Sequence, residues 1–145
     1  MNKPRVLFLC TANSCRSQMA EGMLRKLGGD QFEAASAGAQ ASRVNPDAVR
    51  AMKEIGIDIS THRSKDASEF RGQNFTYVVR VCDRAKETCP IFPGAFRYYD
   101  WDLDDPAAAK GTDEERMEVF RRVRNQIEAR VKEFIAKESQ AAASA

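Results

Sequence analysis

Apolar positions along the chain alternate between two spacings. Val6-Leu7-Phe8-Leu9, within Arg5 to Leu9, is a short run of the kind that forms a buried strand. From Ser17 to Leu27 the spacing turns helical, with Met19, Ala20, Met23, Leu24 and Leu27 on one face and Gly28-Gly29 as the stop. Phe32 to Ala37 reads as a weaker strand closed by Gly38, followed by a loop over 39–44. Asn45-Pro46-Asp47 supplies an N-cap, a first-turn proline and an acid at the positive end of a helix. Ala48, Val49, Met52 and Ile55 form its stripe and Gly56 ends it. A connector over Ile57 to Arg63 and a short helix over Asp66 to Arg71 lead to a third strand, Tyr77 to Val81, and then a fourth, Arg97 to Trp101. Thr112 and Glu115 make a capping box for the longest helix, which reaches about residue 137. Its stripe is Phe120, Val123, Ile127, Val131 and Phe134; Ser139 to Ala145 reads as a frayed tail.

Strands alternating with helices predict an α/β fold with a parallel sheet covered on both faces. The chain reads as a single catalytic domain over 1–138, with a tail over 139–145 and no internal repeat. Ligands of such sheets bind beyond the carboxyl ends of the strands. Cys10 and Cys82 each directly follow a predicted strand, which brings both to that edge.

Cys10 opens the segment Cys10-Thr11-Ala12-Asn13-Ser14-Cys15-Arg16-Ser17, between a strand and a helix. Loop N–H groups and a helix N-terminus attract an anion, and the planar fork of Arg16 grips two of its oxygens. The same positive field favours the thiolate of Cys10. A nucleophile and an oxyanion trap therefore share eight residues, with Thr11, Ala12, Asn13, Ser14, Cys15, Arg16 and Ser17 as the oxyanion-binding set. Asn13 braces the loop, Ser17 is placed to hydrogen-bond Cys10, and Cys15 reads as a small packed residue.

Expelling an oxygen leaving group at neutral pH needs a proton donor. Asp105, before Pro106, is the candidate, with Asp104 and Asp102 as alternatives in the same acidic turn. Cys82 and Cys89 could be two buried small residues, zinc ligands or an incidental disulfide. Zinc needs two more ligands, and His62 has no companion at a recognisable spacing; His62 reads as structural. If Asp83 to Thr88 is helical, the two α-carbons stand about 10.5 Å apart, beyond the roughly 7 Å that a disulfide spans. Bridging them would unwind the segment, which makes the pair a candidate redox switch.

Composition narrows the classes further. A chain of 145 residues with 43% hydrophobic and 30% charged residues has the balance of a soluble domain. A net charge of +2 gives no reason to expect nucleic acid, and no apolar stretch is long enough for a membrane. The expected compartment is the cytoplasm, where four cysteines point to chemistry rather than to structural staples. The expected state is a monomer.

Together these motifs resemble the thioredoxin-coupled arsenate reductases built on the low-molecular-weight tyrosine phosphatase fold. The likeness spans roughly Val6 to Phe134. It is carried by Cys10 to Glu21, Ser36-Ala37-Gly38, Val44-Asn45-Pro46, Gly56-Ile57-Asp58-Ile59-Ser60, the Cys82/Cys89 segment and Asp105-Pro106. It implies a three-layer α/β/α architecture with a four-stranded parallel sheet of flavodoxin-like topology. It also implies arsenate as substrate, Cys10, Arg16, Cys82, Cys89 and Asp105 as the catalytic set, and thioredoxin as the reductant, with a low-molecular-weight thiol and glutaredoxin as the alternative. In the implied cycle Cys10 attacks arsenic, Cys82 attacks Cys10, and Cys89 resolves the bridge to Cys82–Cys89. No cofactor is implied. Some relatives hold potassium through the positions of Asn13, Glu21, Ser36 and an acid near 65; here Lys65 stands there, beside Asp66, and its ammonium can replace the cation, so no metal is expected. Arg80 lies in the third strand, where an apolar or small residue is ordinary, and reads as a mark of an exposed edge of the site. The competing readings are a tyrosine phosphatase using Cys10, Arg16 and Asp105, and a non-catalytic oxyanion sensor.

Overall fold

The computed structural model describes residues 3–81 and 92–144, with side chains through Ser139. Cys82, Cys89 and the helical turn expected over Asp83 to Thr88 lie outside the described residues. The strands are β1 (Arg5–Cys10), β2 (Glu33–Gly38), β3 (Tyr77–Arg80) and β4 (Arg97–Asp100). They form one parallel sheet in the order β2-β1-β3-β4. The helices among the described residues are α1 (Arg16–Gly28), α2 (Pro46–Lys53) and α3 (Asp113–Ser144), with 3-10 turns at Ala67–Phe70 and Pro106–Ala108.

β1 is internal, and its alternating side chains feed two cores. Val6, Phe8 and Cys10 join Met19, Met23, Met52, Phe120, Ile127 and Phe134 from the three helices. Leu7 and Leu9 point the other way, toward Ala67, Phe75, Val78 and Phe92. The sheet is therefore covered on both faces. Leu27 and Ile55, assigned to apolar stripes from the spacing, are each 38% exposed. Leu27 lies in the last turn of α1, and Ile55 follows the end of α2, where Gly56 takes φ +79° and turns the chain.

The capping signals act as the sequence suggests. Asn45 accepts from the Asp47 N–H at 2.8 Å, and Thr112 and Glu115 exchange reciprocal bonds of 3.1 Å. The chain end departs from expectation, because α3 continues to Ser144 rather than fraying after 138. Buried Glu138 accepts from Arg97 at 3.0 Å and from the Tyr99 hydroxyl, which ties this part of the helix to β4. The alanines at 141–143 then favour helix by propensity. Arg80 also gains an account: it faces Asp100 across the β3–β4 register, pairs with it at 2.7 and 3.0 Å, and lies 4.7 Å over the Tyr98 ring. No helix among the described residues is long and apolar enough to cross a membrane.

Glu54, just past α2, joins this helix to α3 through Arg121 at 2.9 Å and Arg124 at 2.9 Å. The Arg121 hydrogen bond holds its carboxyl down at about 2, with Arg124 adding to the effect. The carboxylate is 38% exposed, so solvent screening keeps the contribution of the pair small. Its folded value lies below the unfolded one, so its stabilisation is complete above about pH 4.5 and disappears as pH falls toward 2. Glu54→Gln should lower the urea midpoint at pH 7 and leave a smaller loss of stability between pH 5 and 2, measured by urea unfolding across that range.

Candidate active site

The loop from Cys10 to Cys15 leaves the carboxyl end of β1 and enters α1. Its carbonyls turn outward, each to a donor from the surrounding structure. Cys10 O accepts from Ala39 N at 3.1 Å, Thr11 O from Gln40 N at 3.0 Å and Ser14 O from Asn45 N at 3.0 Å. Ala12 O accepts from the Ser42 and Ser64 hydroxyls at 3.2 and 3.1 Å, and Asn13 O from Gln18 Nε2 at 3.3 Å. A trans peptide sends its N–H opposite to its C=O, so the N–H groups that follow face the loop interior. The first turn of α1 adds to this field: it has no side-chain cap and no acid, which leaves its N–H groups for an anion.

The sulfur of Cys10 receives the Asn13 N–H at 3.1 Å and lies 2.8 Å from Ser17 Oγ. Asn13, fully buried, takes φ +50°. Its Nδ2 donates to Ser17 Oγ at 2.8 Å and Ser36 Oγ at 3.0 Å, while its Oδ1 accepts from Lys65 N at 2.9 Å and Gln18 Nε2 at 2.8 Å. The Lys65 backbone N–H can only donate, which fixes the orientation of the Asn13 amide. Ser17 Oγ thus accepts from Asn13 and keeps its own proton for the sulfur.

Gly38 closes the loop from behind. A Cβ there would stand 2.6 Å from Asn13 N, 2.8 Å from Thr11 O and 2.9 Å from Ala12 C. In the sequence this glycine is a strand end within the Ser36-Ala37-Gly38 match; its close approach to the loop backbone emerges from the fold. Gln18 is likewise invisible to periodicity, as a polar residue that is fully buried and bonded to Asn13 and to Arg63 O.

Arg16 donates to Leu103 O at 3.1 Å and lies 3.7 Å from Asp105 Oδ2. Cys10, Arg16 and Asp105 border one cavity of about 380 Å³, with Asp102, Leu103 and Ala107 on its far wall. Asp104 instead pairs with Arg122 at 3.4 Å. Asp105 is 47% exposed, lines the cavity and accepts from Ala107 N at 3.0 Å at the start of the Pro106–Ala108 turn. Cys15 is buried, and burial pushes its thiol up to about 12, so it stays protonated. The cavity lining brings the Cys10 thiol, the Arg16 guanidinium and the Asp105 carboxyl together, a set that suits a tetrahedral oxyanion.

His62 supports the loop from the other side. Arg25 can only donate, so His62 Nε2 accepts from it at 2.9 Å and Nδ1–H donates to Gln18 Oε1 at 2.9 Å. Burial lowers the His62 pKa and keeps the ring neutral. Glu21, 4% exposed, accepts from Ser36 Oγ at 2.6 Å and Arg25 at 2.7 Å, and the Lys65 ammonium lies 3.8 Å from it. The oxygens of Asn13 and Ser36 are engaged in these bonds, and Lys65 places a positive charge beside Glu21. The residues present therefore do not fit a monovalent cation.

Residues 5–143 match the family of low molecular weight phosphotyrosine protein phosphatases. The chain belongs to that family. Its four-stranded parallel sheet and its loop between β1 and α1 are the phosphatase-like α/β arrangement. Within the superfamily the chain is similar to an arsenate reductase of Halalkalibacterium halodurans (strain C-125), with 52% identity over 92% of this chain and 96% of that protein. It also resembles a solved arsenate reductase in its oxidized state, at TM-score 0.80 and 37% identity over 92% of this chain and 97% of the other. A thioredoxin-dependent arsenate reductase of Corynebacterium glutamicum matches at TM-score 0.69 and 29% identity, over 96% of this chain and 63% of that one.

The Gly38 contact is open to test. Gly38→Ala should cost about 1–3 kcal/mol of stability through overpacking. It should also weaken arsenate or phosphate binding, because the loop backbone must retreat. Urea unfolding and titration calorimetry read the two effects separately; unchanged anion affinity would mean that the loop tolerates the methyl.

Proposed function

We propose that this chain reduces arsenate to arsenite, with Cys10 as nucleophile and a relay through Cys82 and Cys89 that thioredoxin resets. The observation that carries this reading is that Cys10, Arg16 and Asp105 line one cavity, in a chain 52% identical to an arsenate reductase. Arsenate accepts from the inward N–H groups of the loop and from Arg16. The Cys10 thiolate attacks arsenic; one As–O bond breaks, and that oxygen leaves as water with a proton from Asp105.

The Cys82 thiolate then attacks the sulfur of Cys10. The S–As bond breaks and its electron pair stays on arsenic, which becomes As(III) and leaves as arsenite, while the two sulfurs are oxidised to a disulfide. Cys89 displaces Cys10 from this bridge, and the dithiol of thioredoxin reduces Cys82–Cys89. Val81, the last described residue before Cys82, donates to Leu9 O at 2.9 Å, one residue from Cys10; this placement supports the relay. The cycle requires a reducing compartment such as the cytoplasm.

A phosphatase would use the same Cys10, Arg16 and Asp105. The described cavity lining has no aromatic side chain to stack an aryl group, and hydrolysis leaves Cys82 and Cys89 without work. With thioredoxin, thioredoxin reductase and NADPH, the parent should make arsenite continuously. Cys82→Ser and Cys89→Ser should stop after at most one turnover, and mass spectrometry should find Cys10–Cys82 accumulating in Cys89→Ser. Full turnover by either variant would overturn the relay, and the absence of arsenite from the parent, with aryl phosphate hydrolysis that ignores both substitutions, would favour the hydrolase. Asp105→Asn should slow the first chemical step by about 10² to 10⁴-fold in single-turnover assays.

A further inference from the structure

We propose that Ser42 and Ser64 are positioning residues for Cys10, acting through the peptide that joins Ala12 to Asn13. This proposal rests on the reading of Cys10 as the nucleophile. Of the five loop carbonyls from Cys10 to Ser14, those of Cys10, Thr11 and Ser14 are held by backbone N–H groups, and that of Asn13 by the buried Gln18 amide. The Ala12 carbonyl is held by two hydroxyls from separate loops, Ser42 at 3.2 Å and Ser64 at 3.1 Å. The two loops are themselves joined, because Ser42 N–H donates to Ser64 Oγ at 2.9 Å. Ser64 therefore accepts from one loop and passes its own proton to the Ala12 carbonyl.

The N–H of that same peptide is the one that donates to the Cys10 sulfur at 3.1 Å. Peptide planarity makes the two ends one rigid unit: hydroxyls pulling the oxygen outward hold the N–H inward. Asn13 takes φ +50°, a left-handed conformation that asparagine tolerates better than most residues with a side chain but does not prefer over the right-handed one. Rotating the 12–13 peptide by half a turn would change φ of Asn13 and ψ of Ala12, release the left-handed conformation and remove the N–H from the sulfur. The hydroxyl pair opposes that rotation. Ser42 is exposed and Ser64 half-buried, and neither lines the cavity, so both act through the peptide rather than on the substrate.

The test reads the sulfur itself and needs no arsenate. Iodoacetamide alkylation of the Cys10 peptide is followed by mass spectrometry from pH 4 to 9 in the parent, in Ser42→Ala/Ser64→Ala and in Ser42→Thr/Ser64→Thr. Removing both hydroxyls should slow alkylation of the Cys10 peptide by about tenfold in the lower half of that pH range, because the sulfur loses the N–H aimed at it. Thr keeps the hydroxyls and should restore the parent profile. Circular dichroism and the urea midpoint, read in parallel, report loss of the fold separately from loss of the clamp. If the folded double alanine variant alkylates with the parent's profile, or if the threonine variant shifts as far as the alanine one, the clamp is wrong. Failure of the parent to reduce arsenate would overturn the functional reading while leaving this alkylation result to stand on its own.

Discussion

An anion cradle made of backbone must solve a problem of direction, because every peptide that offers an N–H inward must find a partner for its carbonyl outside. Around Cys10 to Ser14 the partners come from the backbone after β2, from the N-cap of α2, from the two serine-bearing loops and from Gln18 on α1. The cradle is thus not a property of eight residues. It exists because the parallel sheet brings those segments around the carboxyl end of β1, and Gly38 lets β2 come close enough to seat the loop. Asn13 is where the constraint concentrates. Its left-handed backbone turns one N–H onto the sulfur, and its amide spans Ser17, Ser36, Gln18 and Lys65.

Much of this was legible in the chain, for identifiable reasons. The β1 run, the α1 stripe, the Asn45-Pro46-Asp47 cap and the Thr112/Glu115 box are local signals, and local signals survive folding. The Cys10-to-Arg16 segment is also local, so the loop and its position between strand and helix could be read directly. What could not be read depends on contacts across the fold. Gln18, Ser42 and Ser64 look like ordinary polar residues until a carbonyl is found against each. Leu103 matters through its backbone oxygen on Arg16, which no side-chain pattern encodes. The end of α3 is not legible locally, because its anchors, Arg97 and Tyr99, are some forty residues away in β4.

Charge beneath the loop is balanced by side chains. Glu21 is nearly buried, and an uncompensated carboxylate there would be costly. Arg25 and Lys65 supply the compensation, and burial lowers the Lys65 pKa against the pull of Glu21. A neutral His62 then fixes the Gln18 amide without adding another charge.

The same loop also shows why one of two nearby thiols would serve as nucleophile. Cys10 and Cys15 both line the cavity, and both are buried to 3% exposure. Cys10 meets an N–H at 3.1 Å and a hydroxyl at 2.8 Å, donors that stabilise a thiolate. The Cys15 sulfur has Ser14 Oγ at 3.8 Å, and desolvation outweighs both this contact and the nearby Arg16. Sharing one electropositive loop is therefore not enough to make a sulfur reactive. The donors aimed at it decide, and in this chain those donors are aimed by the outward pull on the carbonyls behind them.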